Sequence, residues 1–171
     1  MTSQFLIATA ASPAAAALVP LATGAAIKTL LQVKLDPARV GPALVTEWGI
    51  SFAGFAAAQP VQCELVTTGT VAATVTALTA AEVHRFNPNV ATPTDLNPFD
   101  WGVSASGFDG SAEGTVTETD LFDPQLVAPT NQYVKQWPLG REPQLIPAHF
   151  LRVRVNAPAT VNAYAYVIIE A

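Results

Sequence analysis

The sequence predicts an all-β fold: one antiparallel β-sandwich of jelly-roll type, about eight strands, with an extended N-terminal arm. Three observations predict it. Short runs alternate apolar and polar residues with a period of two, turn-forming Pro and Gly punctuate them, and helical periodicity is scarce. A count near eight with connections of varied length fits a jelly roll best among sandwiches and barrels.

Residues 1–25 are rich in Ala, Pro and Thr and poor in charge, without the periodicity of a surface helix. They read as an arm that gains order by lying along a neighbour. The apolar run 5–11 and the small-residue stretch 12–17 imitate a secretory leader. No Lys or Arg precedes Lys28, however, so the positive n-region is missing, and Pro13 and Pro20 interrupt any spanning helix. The sandwich domain then occupies 26–171.

Its first strand is 27–35, with Leu31, Val33 and Leu35 on one face, ended by Asp36-Pro37. In 44–55, Leu44, Thr46, Trp48, Ile50 and Phe52 form the expected core side. Val61, Cys63 and Leu65 alternate in a third strand, and 67–70 is a turn by composition. The β-branched residues of 71–78 favour a strand, while 80–86 carries no decisive pattern. A long loop follows at 87–112, with prolines at 88, 93 and 98 and glycines at 102, 107 and 110. Its Phe99, Trp101 and Phe108 either pin it to its own domain or contact another chain or a ligand. Strands are expected at 114–122 and 133–139, the latter closed by Gly140-Arg141-Glu142-Pro143. Last come Leu151, Val153 and Val155, a turn at Ala157-Pro158-Ala159, and Val161, Ala163, Ala165, Val167 and Ile169. These predict a hairpin-like pair of half-buried strands.

Composition narrows the function classes. A chain of 171 residues fits one domain without a staple, and the single Cys63 reads as a buried, inert thiol. Charged residues make up 12% and apolar ones 50%, so much of the outside is expected to be covered by other subunits. A net charge of -5 with eight scattered cations argues against a nucleic-acid partner. No membrane partner is expected either.

Catalytic parts are not apparent. His84 and His149 lack further ligands at metal spacing, and Ser104-Ala105-Ser106-Gly107 sits in a loop rather than on a nucleophile elbow. No phosphate-binding or dinucleotide motif is present. The reading is a non-enzyme with no cofactor and no metal. Asp95, Asp100, Asp109, Glu113, Glu118, Asp120 and Asp123 form either a solvated acidic face or, less simply, a calcium site; paired glycosidase carboxylates are a weaker option.

The runs Gln136-Trp137-Pro138-Leu139-Gly140-Arg141-Glu142 and Leu151-Arg152-Val153-Arg154-Val155-Asn156-Ala157-Pro158-Ala159-Thr160-Val161-Asn162-Ala163 resemble structural proteins of tailed bacteriophages, particularly jelly-roll capsid decoration, or cement, proteins. The resemblance covers the C-terminal third, and the rest only in strand rhythm. It implies a virion protein on the capsid surface, a homotrimer clamping neighbouring copies of the major capsid protein, with no catalytic residues. It also implies an arm that adds strands or lies along the shell. Phe5, Leu6, Ile7, Leu18, Val19 and Leu21 of the arm, with Phe99, Trp101 and Phe108, are the candidate contact residues. Two other readings stay open: a carbohydrate-binding sandwich using Trp101, Trp137 and calcium, and a phage tail or head-fibre component.

Overall fold

The computed structural model describes residues 3–9, 17–53, 59–86 and 98–171. Within them lie β1 (Gln4–Ala8), β2 (Leu21–Ala22), β3 (Lys28–Lys34), β4 (Ala43–Ala53), β5 (Val61–Thr67), β6 (Thr74–Ala77), β7 (His84–Arg85), β8 (Gly107–Ala112), β9 (Asp120–Val127), β10 (Gln132–Gln136), β11 (Gln144–Leu145), β12 (Phe150–Asn156) and β13 (Asn162–Glu170). A 3₁₀ turn at Ala80–Glu82 is the only helical element among the described residues.

Two antiparallel sheets form a β-sandwich. Sheet A runs β10-β4-β13-β1-β7, with β2 also on β13 and β11 also on β4; sheet B runs β6-β8-β3-β12-β5-β9. Thirteen segments replace the expected eight or so, because β2, β7 and β11 are only two residues long and neither β1 nor β8 was expected as a strand. Leu31, Val33, Leu65, Leu151, Val153 and Val155 of sheet B meet Ile7, Val45, Trp48, Ile50, Ala165, Val167 and Ile169 of sheet A in one core. Each such aliphatic side chain contributes about 1.5–3 kcal/mol by leaving water.

The terminal pair is not a hairpin. β12 lies between β3 and β5 in sheet B, whereas β13 lies between β4 and β1 in sheet A. Residues 157–161 therefore cross from one sheet to the other. The alternation reported a buried face on each strand, and those faces oppose across the core instead of sharing one sheet surface.

A bulge revises the expected core side of β4. Ile168 pairs with Glu47 and Ile169 with Val45, leaving Thr46 as the extra residue. The parity inverts there: Val45, Trp48 and Ile50 are buried, while Leu44 and Thr46 are only partly so.

Two other spans move. The described end of the 87–112 loop becomes β8, paired with β3 and β6. The expected strand at 114–122 shifts to β9, and its Pro124 is tolerated because β9 is an edge strand.

The N-terminal segment is also revised. Its described part lies on its own domain, since β1 pairs along β13 from Gln4↔Glu170 to Ala8↔Tyr166. Beyond β1, the Thr9 N–H donates to Ala165 O at 2.9 Å, and the Ala165 N–H donates back to the Thr9 hydroxyl at 2.9 Å. Thr23 repeats the device on Val161, at 2.8 and 3.1 Å. Each hydroxyl stands in for a ladder carbonyl, which satisfies the β13 backbone where no strand partner continues.

Candidate functional site

The two outer faces of the sandwich are finished differently. On sheet B the outward residues Gln32 and Arg152 are fully buried. The Gln32 side chain bridges strands and connections: its Nε2 donates to Ala105 O at 2.6 Å, and its Oε1 accepts from the Ala73 N–H at 2.7 Å. Arg152 donates to the carbonyls of Glu113, at 3.0 Å, and Val71, and pairs with the Glu113 carboxylate at 3.2 Å. Glu113 also accepts from the Thr29 N–H and hydroxyl, both at 2.6 Å. Burial pulls the Arg152 pKa down, opposed by the charge of Glu113. This layer covers the outer face around β3 and β12, whereas at the β9 edge Leu121 and Leu126 stay 52% and 76% exposed.

Among the described residues, sheet A has no such layer. Cross-strand register puts Gln136, Glu47, Ile168, Leu6 and His84 in one outward row, and Val134, Gly49 and Tyr166 in the next. Leu6, Tyr164, Tyr166 and Ile168 are all partly exposed, and Val134 is 48% exposed. Tyr166 lies across Gly49, where a Cβ would stand 2.5 Å from its ring, and its hydroxyl donates to Glu47. Burial, then the Glu47 carboxylate, pushes the Tyr166 pKa up; burial alone does so at Tyr164.

At one end of this face lies a groove of about 320 Å³. Its floor is Thr46, Glu47 and Ile168; Gln4, Phe86 and Glu170 stand on the β7 side, and Gln136, Trp137, Leu139 and Glu142 on the β10 side. Both walls are tied to sheet A. The Phe86 N–H donates to Gln4 O and the Trp137 N–H to Thr46 O, each at 3.1 Å. Leu139 is held out by a turn in which the Arg141 N–H donates to Pro138 O at 3.0 Å. Gly140 sits at φ 81°, as the third position of a type II turn requires. Leu139 is consequently 95% exposed and Phe86 56%.

The candidate contact residues divide. Phe5 and Ile7 are core, and Phe5 meets Phe99 edge-to-face at 5.3 Å; Trp101 follows at 5.8 Å from Phe99. Arm and loop are thus brought together, but as internal packing, and Phe108 likewise packs on the core. Leu21 is half-buried on β2. Leu6 lies on the open face, while Leu18 and Val19 are 57% and 59% exposed.

Asp95 lies outside the described residues; Asp100 pairs with Lys34 and Asp109 with Lys28, each at 2.6 Å. Asp123 points inward and accepts from Trp48 Nε1 at 2.9 Å and from the Tyr133 hydroxyl and Gln125 Nε2, both at 2.8 Å. Among the described residues no three His, Cys, Asp or Glu side chains converge as metal ligands would. Cys63 is buried, and that burial lifts its thiol to about 12.

The β9 and β10 edges resist strand addition. β9 carries Pro124, a register shift beside Leu65 and the inward Asp123, while β10 places Lys135 opposite the inward Trp48. Proline, bulges and inward charges are the devices that blunt edges. The open face and its groove are therefore the candidate contact surface. Sequence reasoning missed most of the groove because its lining comes from separated segments; only Trp137 and the Leu139-Gly140 turn stood out.

No protein-family model, curated protein or solved structure matches this chain.

Proposed function

We propose that this chain is a non-enzymatic structural protein of a virion: a jelly-roll sandwich that docks on the outside of a phage capsid and braces neighbouring major capsid subunits, as a homotrimer. The observation that carries the proposal is the open outer face of sheet A in a chain with only 12% charged residues. Among the described residues, nothing covers Leu6, Tyr164, Tyr166 and Ile168 as Gln32 and Arg152 are covered on sheet B, and a contiguous, partly apolar face is how a β-protein meets a partner. Docking through this face replaces strand addition by the arm, because β1 is already built into the chain's own sheet.

The test is to purify particles from the source of the sequence, detect the chain in them and locate it by electron cryomicroscopy. The expected result is density on the capsid surface with sheet A turned toward the shell. Absence from particles, or a chain located with sheet A facing solvent, overturns the proposal.

A further inference from the structure

The groove at the end of sheet A has a consistent chemistry. Among the described residues its ionisable lining is Glu47, Glu142 and Glu170, all carboxylates, with no Lys or Arg. Beside them stand the apolar surfaces of Trp137, Phe86, Leu139 and Ile168. Glu47 is prepositioned, accepting from the Tyr166 hydroxyl on one oxygen and from Gln136 Nε2 on the other. Carboxylates attract a cation, aromatic faces attract a cation and the methylene stem behind it, and a net charge of -5 favours the same sign of partner. An anionic ligand would meet like charges at Glu47 and Glu142. A neutral glycan would find a platform at Trp137 but no use for the carboxylate excess.

We infer that this groove binds an extended, lysine- or arginine-bearing segment of a partner protein, with the cationic head against Glu142 and Glu47 and its stem on Trp137 and Leu139. The inference deepens the docking role proposed above and rests on it. It names the partner's chemistry: a basic strand or tail.

The full chain, labelled with ¹⁵N, is titrated with a capped hexapeptide of alternating lysine and alanine while the Trp137 indole N–H signal is followed. That signal should move. Affinity should fall as salt rises from about 50 to about 200 mM, as expected where exposed charges are screened. Glu142→Gln should weaken binding about twofold to fivefold, the range of one exposed ion pair. Leu139→Ser, on a turn exposed to solvent, should weaken it without unfolding the chain. Glu118→Gln, beside Gly69 in the turn after β5 and outside the groove lining, makes the same change in net charge and should leave binding unchanged. A stationary Trp137 signal, equal weakening by Glu118→Gln, or movement with a neutral N-acetylglucosamine oligomer but not with the peptide would each overturn the inference. Particle binding separates the two proposals: particles bound without the peptide effect sink only this one, and the peptide effect without particle binding sinks the capsid role.

Discussion

Arg152 on β12 and Tyr166 on β13 both point away from the core, on neighbouring strands in sequence, and meet opposite fates. Arg152 is fully buried beneath the segments that carry Val71 and Glu113, with its charge matched and its Nη1 and Nη2 donors directed at carbonyls, while Nε has no hydrogen-bond partner among the described residues. Tyr166 lies flat over Gly49, half in solvent, with a single carboxylate partner. The outward half of an alternating strand records polarity, but not whether a loop will come back over it. Here the coverage, and not the strand, buries Arg152 and leaves Tyr166 partly exposed.

The largest effect that tests this contrast is removal of residues 1–9. β1 is the strand between β13 and β7, and Phe5 and Ile7 belong to the core. The truncated chain should lose its cooperative thermal transition, whereas a detachable arm would leave it intact. Ile7→Ala alone should cost about 2–5 kcal/mol in urea unfolding. On the covered face, Arg152→Ala should cost about 3–5 kcal/mol, since it strands Glu113 and two carbonyls under the covering segments. A cost below about 1 kcal/mol would mean that water reaches them and the covering is loose.

Alkaline pH probes the core and the sandwich edge together. Burial lifts the Cys63 thiol from 9.0 to about 12, and burial with the Asp123 hydrogen bond lifts Tyr133 from 10.0 to about 12. The folded chain thus holds these protons to higher pH than the unfolded chain does. Their stabilising contribution is complete below about 9 and is lost as pH climbs toward about 12. Tyr133→Phe should flatten the upper part of that decline, as read by urea midpoints across the window.

On the open face the expected effects are smaller. Gly49→Ala must displace the Tyr166 ring and should cost about 1–3 kcal/mol. Leu6→Thr should change stability by about 1 kcal/mol or less, yet weaken particle binding, because its side chain faces outward. If Leu6→Thr instead destabilised as much as Ile7→Ala, the face would be part of the core and the contrast between the sheets would fail.

Much of the sandwich was legible in the sequence. The strands 27–35, 44–55 and 61–66 and the two terminal runs were placed by alternation, because burial on one side writes itself at period two. Sheet membership was not legible: β12 and β13 have the same signature whether they pair or oppose. The extra residue at Thr46 inverted the parity of β4 in a way no propensity signals. β8 was hidden by Gly107 and Gly110, and β9 by Pro124. β1 was hidden by the Ala- and Pro-rich stretch after it. Of the groove, Trp137 and the turn at Gly140 were visible as local features; Gln4, Glu47, Phe86 and Glu170 become neighbours only through sheet A.

The paired threonines have an engineering consequence. Thr9 is bonded to Ala165, and Leu21 pairs with Ala163, so both ends of the intervening chain are fastened two positions apart on β13. Foreign sequence grafted between Leu18 and Val19, which are 57% and 59% exposed, would leave the pairing of Leu21 with Ala163 unchanged. Lengthening such a graft costs only about 0.6 kcal/mol per doubling. That makes the exposed step between Leu18 and Val19 a natural place to display an epitope or an enzyme.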